Sequence, residues 1–476
     1  MTWTTRRWGR TAWRWGERWG GRRAGLGARA VRTALLPGLC ALLVLPPAAA
    51  SAAPAEDAGP QPYAFAPGAR TVAGATDPAT AERLDPGHIY RSSLPRNGKL
   101  YYRLELDAAD TAYIPVTAVP PPDATVSATD GIRVSIQDAH GTPCLFSAAR
   151  FGAGLSPRPI TALAQREAGR TLCQGKGTYR LLVQRLDAEG SGASAPAQPW
   201  DLEIAPATEP RPGRAGATSA PQAWDSATPE PLGGAPRDSF GGTGFGSART
   251  LGQGVWRTAL APGETRFYKV PLDWGRQLNA SAELAAASGH GYVGGALNLS
   301  LYNPVRGYVE DAALGYTGVR RSAVLQPPPP VEYANRYAVP AGVTSVRFAG
   351  DYYLALHLSA QLAGTFGRGP FGVTLRVRVA GRAHAGPQYA GRPVPGDVFT
   401  ISEQDRAAAL TGSSAGADGA GGAGDAGGAA AGGDPGMKLV AAGGIGLGTV
   451  LLLVLALWTV TARRAQTRAS AQKPTA

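Results

Sequence analysis

At 476 residues the chain has room for two or three domains, and its 47 basic against 34 acidic residues give a formal charge of +13. That excess does not make it a nucleic-acid binder. It lies in residues 1–52, at Lys438 and from Arg463 onward, so the stretch from 53 to 437 is neutral and offers phosphates no basic stripe.

The first element is an apolar run, Leu35–Leu45, behind an arginine-rich segment and ahead of "PPAAASAAP". Ala50 and Ala52 supply a small-x-small cleavage site, so residues 1–52 are expected to be a secretory signal peptide. Leu39 stands before Cys40 where lipid attachment needs a small residue. Arg6 and Arg7 lie far ahead of the apolar run, which favours general secretion over twin-arginine export. Export places the two cysteines of the mature chain, Cys144 and Cys173, in an oxidising exterior where they are expected to pair. The bridge would close a loop of about 30 residues, worth roughly 3–4 kcal/mol in the chain-entropy view. The 42 arginines against 5 lysines, with abundant Ala, Gly and Pro, follow GC-rich codons and point to a high-GC actinobacterial source.

Residues 53–81, rich in Ala, Pro and Gly, are expected to be a flexible leader. A structured block follows over 82–206, then a Pro/Gly-rich linker over 207–248, a second block over 249–382, and a Gly/Ala-rich disordered stalk over 383–436. Leu439–Thr461 holds no charge, is about 34 Å long as a helix and is followed by Arg463 and Arg464. It reads as a transmembrane helix with a basic cytoplasmic tail over 462–476, making a single-pass, type I membrane protein with its ectodomain outside the cell. Gly444 and Gly448 form a small-residue pair in that helix.

The two blocks are related. Ile89–Asp107 aligns without a gap on Val255–Asp273, matching Arg91 with Arg257, Tyr102 with Tyr268, Leu106 with Leu272 and Asp107 with Asp273. "GTYRLLV" at 177–183 then answers "GDYYLAL" at 350–356, and "PWDLEI" at 199–204 answers "PFGVTL" at 370–375. Apolar and polar residues alternate along Tyr102–Leu106, Ile132–Ile136 and Leu297–Leu301, the period of half-buried strands. The expected fold is all-β: two tandem jelly-roll-like antiparallel β-sandwiches plus the C-terminal transmembrane helix. Tyr102, Leu106, Tyr268 and Leu272 form the repeated core, and each copy is expected to fold alone.

The strand "YYRLEL" at 101–106 and its partner "FYKVPL" at 267–272, each followed much later by the Gly-x-Tyr strand, resemble the bacterial pre-peptidase C-terminal domains. Those are small jelly-roll-like sandwiches attached to secreted proteases and other exported enzymes. The resemblance covers both blocks and implies an accessory module, although no protease domain accompanies these copies. The blocks are also similar to β-modules of actinobacterial surface proteins.

Chemistry is sparse. The one G-x-S-x-G match, around Ser414, lies in the glycine/alanine stalk rather than on a strand-to-helix turn. His88, His140, His290, His357 and His384 have no neighbours at metal-ligand spacing, and Cys144 and Cys173 are better used as a disulfide. Asp107 and Asp110 flank a turn; capping of that turn is favoured over calcium, because Arg276 stands in the second copy where Asp110 stands in the first. The repeated aromatics Tyr90/Trp256 and Tyr101/Phe267 fit core and cross-strand packing better than a sugar platform. The sequence therefore assigns no catalytic, cofactor-binding or metal-binding residue. It points to an extracellular binding or assembly protein whose partner is a cell-wall polymer or another exported or surface protein. An enzyme with an unfamiliar site in the second block, or a structural spacer, are the alternatives.

Overall fold

A computed structural model describes residues 59–411 apart from 170–171, 188–197 and 222. The signal segment with Ala50 and Ala52, Ser414, the membrane span 439–461 and the tail lie outside the described residues. Among the described residues no helix is long and apolar enough to cross a membrane.

The first block is built from β1 (Arg70–Thr71), β2 (Tyr90–Leu94), β3 (Lys99–Leu106), β4 (Thr111–Val119), β5 (Gly131–Gln137), β6 (Pro143–Arg150), β7 (Ile160–Arg166), β8 (Gly177–Leu186), β9 (Trp200–Ile204) and β10 (Ala207–Glu209). The second comprises β11 (Arg237–Asp238), β12 (Arg249–Thr250), β13 (Gly254–Leu260), β14 (Thr265–Leu272), β15 (Arg276–Leu284), β16 (Val293–Tyr302), β17 (Tyr308–Tyr316), β18 (Arg321–Val324), β19 (Gly350–Leu358) and β20 (Phe371–Gly381). In the first block the order β2-β9-β4-β7 forms one sheet and β3-β8-β5-β6 the other. In the second the orders are β13-β20-β15-β18 and β14-β19-β16-β17, the same wiring strand for strand. Each pair of sheets buries its inward alternate residues in one apolar core.

Register makes the correspondence exact at residue level. Tyr102 pairs with Leu181 and Tyr268 with Leu354, while Leu106 and Leu272 each face a glycine, Gly177 and Gly350. All four aromatic and leucine side chains are buried. Burial would leave each tyrosine hydroxyl unpaired, and each finds a partner: Tyr102 donates to Ser92 Oγ at 2.8 Å, Tyr268 to the Ser239 carbonyl at 3.3 Å. Cys144 and Cys173 form a disulfide, with Cα atoms 5.6 Å apart, that ties the start of β6 to the loop before β8.

The segments expected to be leader, linker and stalk require correction over their described parts. Residues 59–81 pack: Arg70–Thr71 adds a parallel strand to β2, Val72 and Ala81 are buried, and the Tyr63 ring meets Phe267 of the second block at 5.8 Å. The backbone of Ala64 comes so close to Gly244 that a Cβ there would lie 2.1 Å from its carbonyl oxygen. Residues 207–248 contribute β10 to the first block, β11 to the second and a buried Phe245. Residues 383–411 run back over both blocks, with Val394 bridging Thr208, Phe399 buried, and a helix, Glu403–Thr411, capped by Ser402 and tied by Arg406 to Asp273 at 2.6 Å. Proline and glycine leave the strand period unreadable in these segments, but single aromatics in them supply enough apolar area to hold them down.

The two sandwiches are consequently docked rather than strung. At one end, Glu203 on β9 is fully buried and receives Arg306 Nη1 at 2.5 Å, the Tyr63 hydroxyl at 3.0 Å and the Ala66 N–H at 2.9 Å. At the other, Glu209 on β10 receives the hydroxyls of Tyr113 and Tyr389 and Arg336 Nη2, all at 2.8–2.9 Å. Arg347 of the second block reaches into the first, donating to Glu167 at 2.9 Å and to Gln165 and the Tyr113 hydroxyl at 3.2 Å. Tyr113, Val305, Phe348 and Phe399 form an apolar cluster beside this network.

Removing one partner of a buried pair strands the other charge, so Arg306→Leu should cost roughly 3–5 kcal/mol in urea unfolding. The loss should appear in both sandwiches, and Glu203→Gln in the same chain should recover a large part of it. Separate transitions with only the second one shifted would refute the docking. Cys144→Ser should lower the stability of the oxidised chain by roughly 2–4 kcal/mol and abolish the effect of reductant on its melting.

Candidate functional site

The cleft that the docking leaves open starts from the outer face of a sheet. Along β16, Leu297, Leu299 and Leu301 point into the core, so Asn298, Ser300 and Tyr302 must point out. On β17 the register sets Asp311 beside Ser300 and Ala313 beside Asn298. Sandwich 1 stands against this face with β6, β7 and the connection between them. Its Gly154 closes on Gly295 so tightly that a Cβ on Gly295, already at φ +59°, would sit 2.7 Å from the Gly154 Cα. Between these walls lies a cleft of about 630 Å³, within the range of small-molecule sites.

Its floor is a hydrogen-bonded polar chain. Ser300 Oγ donates to Asn298 Oδ1 at 2.7 Å, Asn298 Nδ2 donates to Asp311 Oδ2 at 3.1 Å, and the Tyr308 hydroxyl donates to Asp311 Oδ1. Burial and the Asp311 carboxylate both push the Tyr308 phenol well above its ordinary pKa, so it stays a donor. The opposite wall carries Leu145 and Phe146 of β6, the latter 67% exposed, with Arg150 and Arg158. The arrangement sets hydroxyl, amide and carboxylate groups on one side against apolar and cationic groups on the other.

At the neck of the cleft, Ser156 of the first block reaches His357 of the second. Ser156 Oγ lies 2.9 Å from His357 Nε2, and His357 Nδ1 lies 2.9 Å from Thr265 Oγ1. A nucleophile, a base and a third group in line is also how acyl-transfer sites are built. Here Ser156 is 1% exposed and its oxygen already receives the Ala360 N–H at 3.0 Å, so the line works as a strut between sandwiches. Burial, and the nearby Arg158 charge, hold His357 well below its ordinary pKa and hence neutral.

Of the residues singled out in the sequence, His357 reaches this cleft and the others do not. Asp107 Oδ1 accepts the N–H groups of Ala109 and Asp110 at 2.7 Å, a turn cap that Arg166 extends by donating to the Asp107 and Asp110 carbonyls. Asp273 binds Trp274 N–H and Arg406. Tyr90, Trp256 and Phe267 are buried, and Tyr101 is half-buried beside the Ala75 bridge. His140 and His290 are exposed, His88 stacks edge-on to Tyr90, and His384 pairs with Glu332. Among the described residues no group of three His, Cys, Asp or Glu side chains is placed to hold a metal ion. Glu203, Arg306 and Arg347 carried no sequence signal: each sits singly in a strand or loop and becomes buried only by docking.

No family model matches the chain, and no curated protein matches it significantly. Among solved structures it is similar to the CUB1-EGF-CUB2 domain of human MASP-1/3, at 8% identity over 61% of this chain and 99% of that one, with a TM-score of 0.16. It is also similar to a CBM22 tandem domain of Paenibacillus barcinonensis Xyn10C, at 9% identity over 59% and 82% of the two chains and a TM-score of 0.16. A chain of the T13 viral particle of IBDV reaches a TM-score of 0.20 at 12% identity, covering 67% and 76%. Scores this low establish no shared fold.

The state of His357 has a measurable consequence. Because its folded pKa lies below the unfolded value of about 6.5, the unfolded chain takes up the proton first as pH falls. The stability is complete above that pH and declines below it, by up to about 1.4 kcal/mol per pH unit. Urea unfolding between pH 7.5 and 5 should show this slope, and His357→Gln should flatten it. An unchanged slope in the variant would mean that His357 is already protonated in the fold.

Proposed function

We propose that the chain is an exported, membrane-anchored binding protein of the cell surface, and that the cleft between its sandwiches holds the ligand. The observation that carries this reading is the cleft itself: two sandwiches sealed by buried ion pairs at both ends leave a polar floor and exposed aromatic side chains facing each other in between. The apolar runs at 35–45 and 439–461 and the disulfide support export and anchoring, with the ectodomain outside and the basic tail inside. Two copies of one strand order, each an eight-stranded double sheet, support a duplicated jelly-roll module of the kind the pre-peptidase resemblance implies. A cell-wall polymer is the partner that this placement favours, ahead of another exported protein.

The test is sedimentation of the purified full chain, in detergent micelles, with cell-wall sacculi. Ala313 is exposed on the cleft floor, so Ala313→Trp fills the site without entering the core. The parent chain should co-sediment, and the variant should lose about 90% of that binding with unchanged thermal unfolding, in keeping with the loss of a central contact. Equal sedimentation of the two proteins would remove the cleft from the function.

A further inference from the structure

Arginines that the second block brings to the interface and beside it are matched by carboxylates, whereas two arginines of the cleft wall are not. Arg306, Arg336 and Arg347 each meet a carboxylate, Glu203, Glu209 and Glu167 respectively, and Arg406 meets Asp273. Arg158, on the connection between β6 and β7, is half-buried in the cleft wall and has no ion-pair partner among the described residues. Its Nη2 donates to the Phe151 carbonyl at 2.8 Å, and its guanidinium carbon stands 5.9 Å from the Phe151 ring. Arg150, which ends β6 on the same wall, also lacks an ion-pair partner among the described residues. The only carboxylate lining the cleft belongs to Asp311, and both of its oxygens are engaged by Tyr308 and Asn298.

We infer that the cleft takes an acidic saccharide, with the Arg158 guanidinium anchoring a carboxylate of the sugar. This rests on the cleft being the ligand site. Of the three arginines lining the cleft Arg347 is matched by Glu167, and the other two against one occupied carboxylate leave the walls with a surplus positive charge. Burial lowers the Arg158 pKa by more than the nearby Tyr302 and Asp311 raise it, so the guanidinium still gains from a closer counter-charge. A ligand carboxylate supplies that charge through paired N–H···O bonds, the geometry a guanidinium provides and an ammonium does not. The remaining chemistry of the cleft is saccharide chemistry. Phe146 and Tyr308, 67% and 48% exposed, offer ring faces to the C–H face of a sugar, and Ser300 and Asn298 offer hydroxyl and amide groups to its hydroxyls.

Calorimetric titration of the full chain separates the possibilities with three probes: a hyaluronan tetrasaccharide, which carries glucuronate; chitotetraose, a neutral amino-sugar oligomer; and oligoglutamate, which is acidic without being a sugar. The hyaluronan fragment should bind at least about tenfold tighter than either of the others, and Arg158→Gln should remove about that factor. Arg158→Lys should recover only part of it, and Phe146→Ala should weaken both saccharides. Unchanged thermal unfolding of Arg158→Gln excludes a general loss of structure. Equal binding of the two saccharides, both lost on Ala313→Trp, would overturn the acidic anchor and leave the cleft as the site. Equal binding of oligoglutamate would overturn the saccharide. Absence of binding by all three probes, with sacculi still captured in an Ala313-dependent way, would overturn the inference but not the cleft. Capture of sacculi that ignores Ala313→Trp would overturn the cleft itself.

Discussion

A carboxylate placed where no water reaches it organises this molecule. Glu203 lies on the outward side of β9, a position that in an isolated sandwich faces solvent. It tolerates full burial because three donors from two separate parts of the chain converge on it: Tyr63 and Ala66 from the N-terminal segment, and Arg306 from the second sandwich, whose guanidinium lies 4.8 Å from the Phe245 ring. Burying either charge alone costs several kcal/mol, so the segment, the first sandwich and the second are fixed together or not at all. Burial together with the Glu203 carboxylate pushes the Tyr63 phenol far above its ordinary pKa, which keeps it a donor.

The cleft follows from that arrangement. With Glu203 and Arg306 closing one end and Glu209, Arg336, Tyr113 and Arg347 the other, the edge of one sandwich is held at a fixed distance above the outer face of the other. Ser156 and His357 set the spacing at the neck with two neutral side chains. A ligand entering such a site meets walls that are already in place, so little of its binding energy is spent on ordering the protein. Specificity then falls to the few side chains on those walls that the fold itself leaves without a task.

The sequence showed the sandwiches and hid their assembly, for a physical reason. Alternation of period two survives wherever one face is buried, so Tyr102–Leu106, Ile132–Ile136 and Leu297–Leu301 were readable as strands, and the gapless match of Tyr102 to Tyr268 disclosed a duplication that the strand order repeats. The disulfide was readable because only two cysteines remain after the leader. The cleft was not, since Asn298, Ser300 and Asp311 are what any solvent-facing strand position carries. Nor was the packing of 59–81, 207–248 and 383–411, where Tyr63, Phe245 and Phe399 stand alone among prolines and glycines without a period to reveal them. Glu203 aligns with Thr374 in the second copy, so the charge that fixes the interface is a departure from the repeat, and repeat-based reading discards departures.

The two copies meet through unlike surfaces: the β6–β7 edge and the outer side of β9 from the first, the outer face of β16 and β17 with the turn between them from the second. Such a contact has no twofold axis, and the second copy, with Thr374 where the first has Glu203, lacks the charge needed to repeat it. The face of the first copy that corresponds to the occupied one carries different chemistry. Where the second copy places Phe267 against Tyr63 and pairs Lys269 with Asp351, the first places Tyr101 and Arg103. The latter is exposed beside Glu105 at 3.7 Å, and Thr178 bonds the same glutamate. Equivalent faces of the two copies thus differ in kind, a charged ladder on the first and covered aromatic contacts on the second.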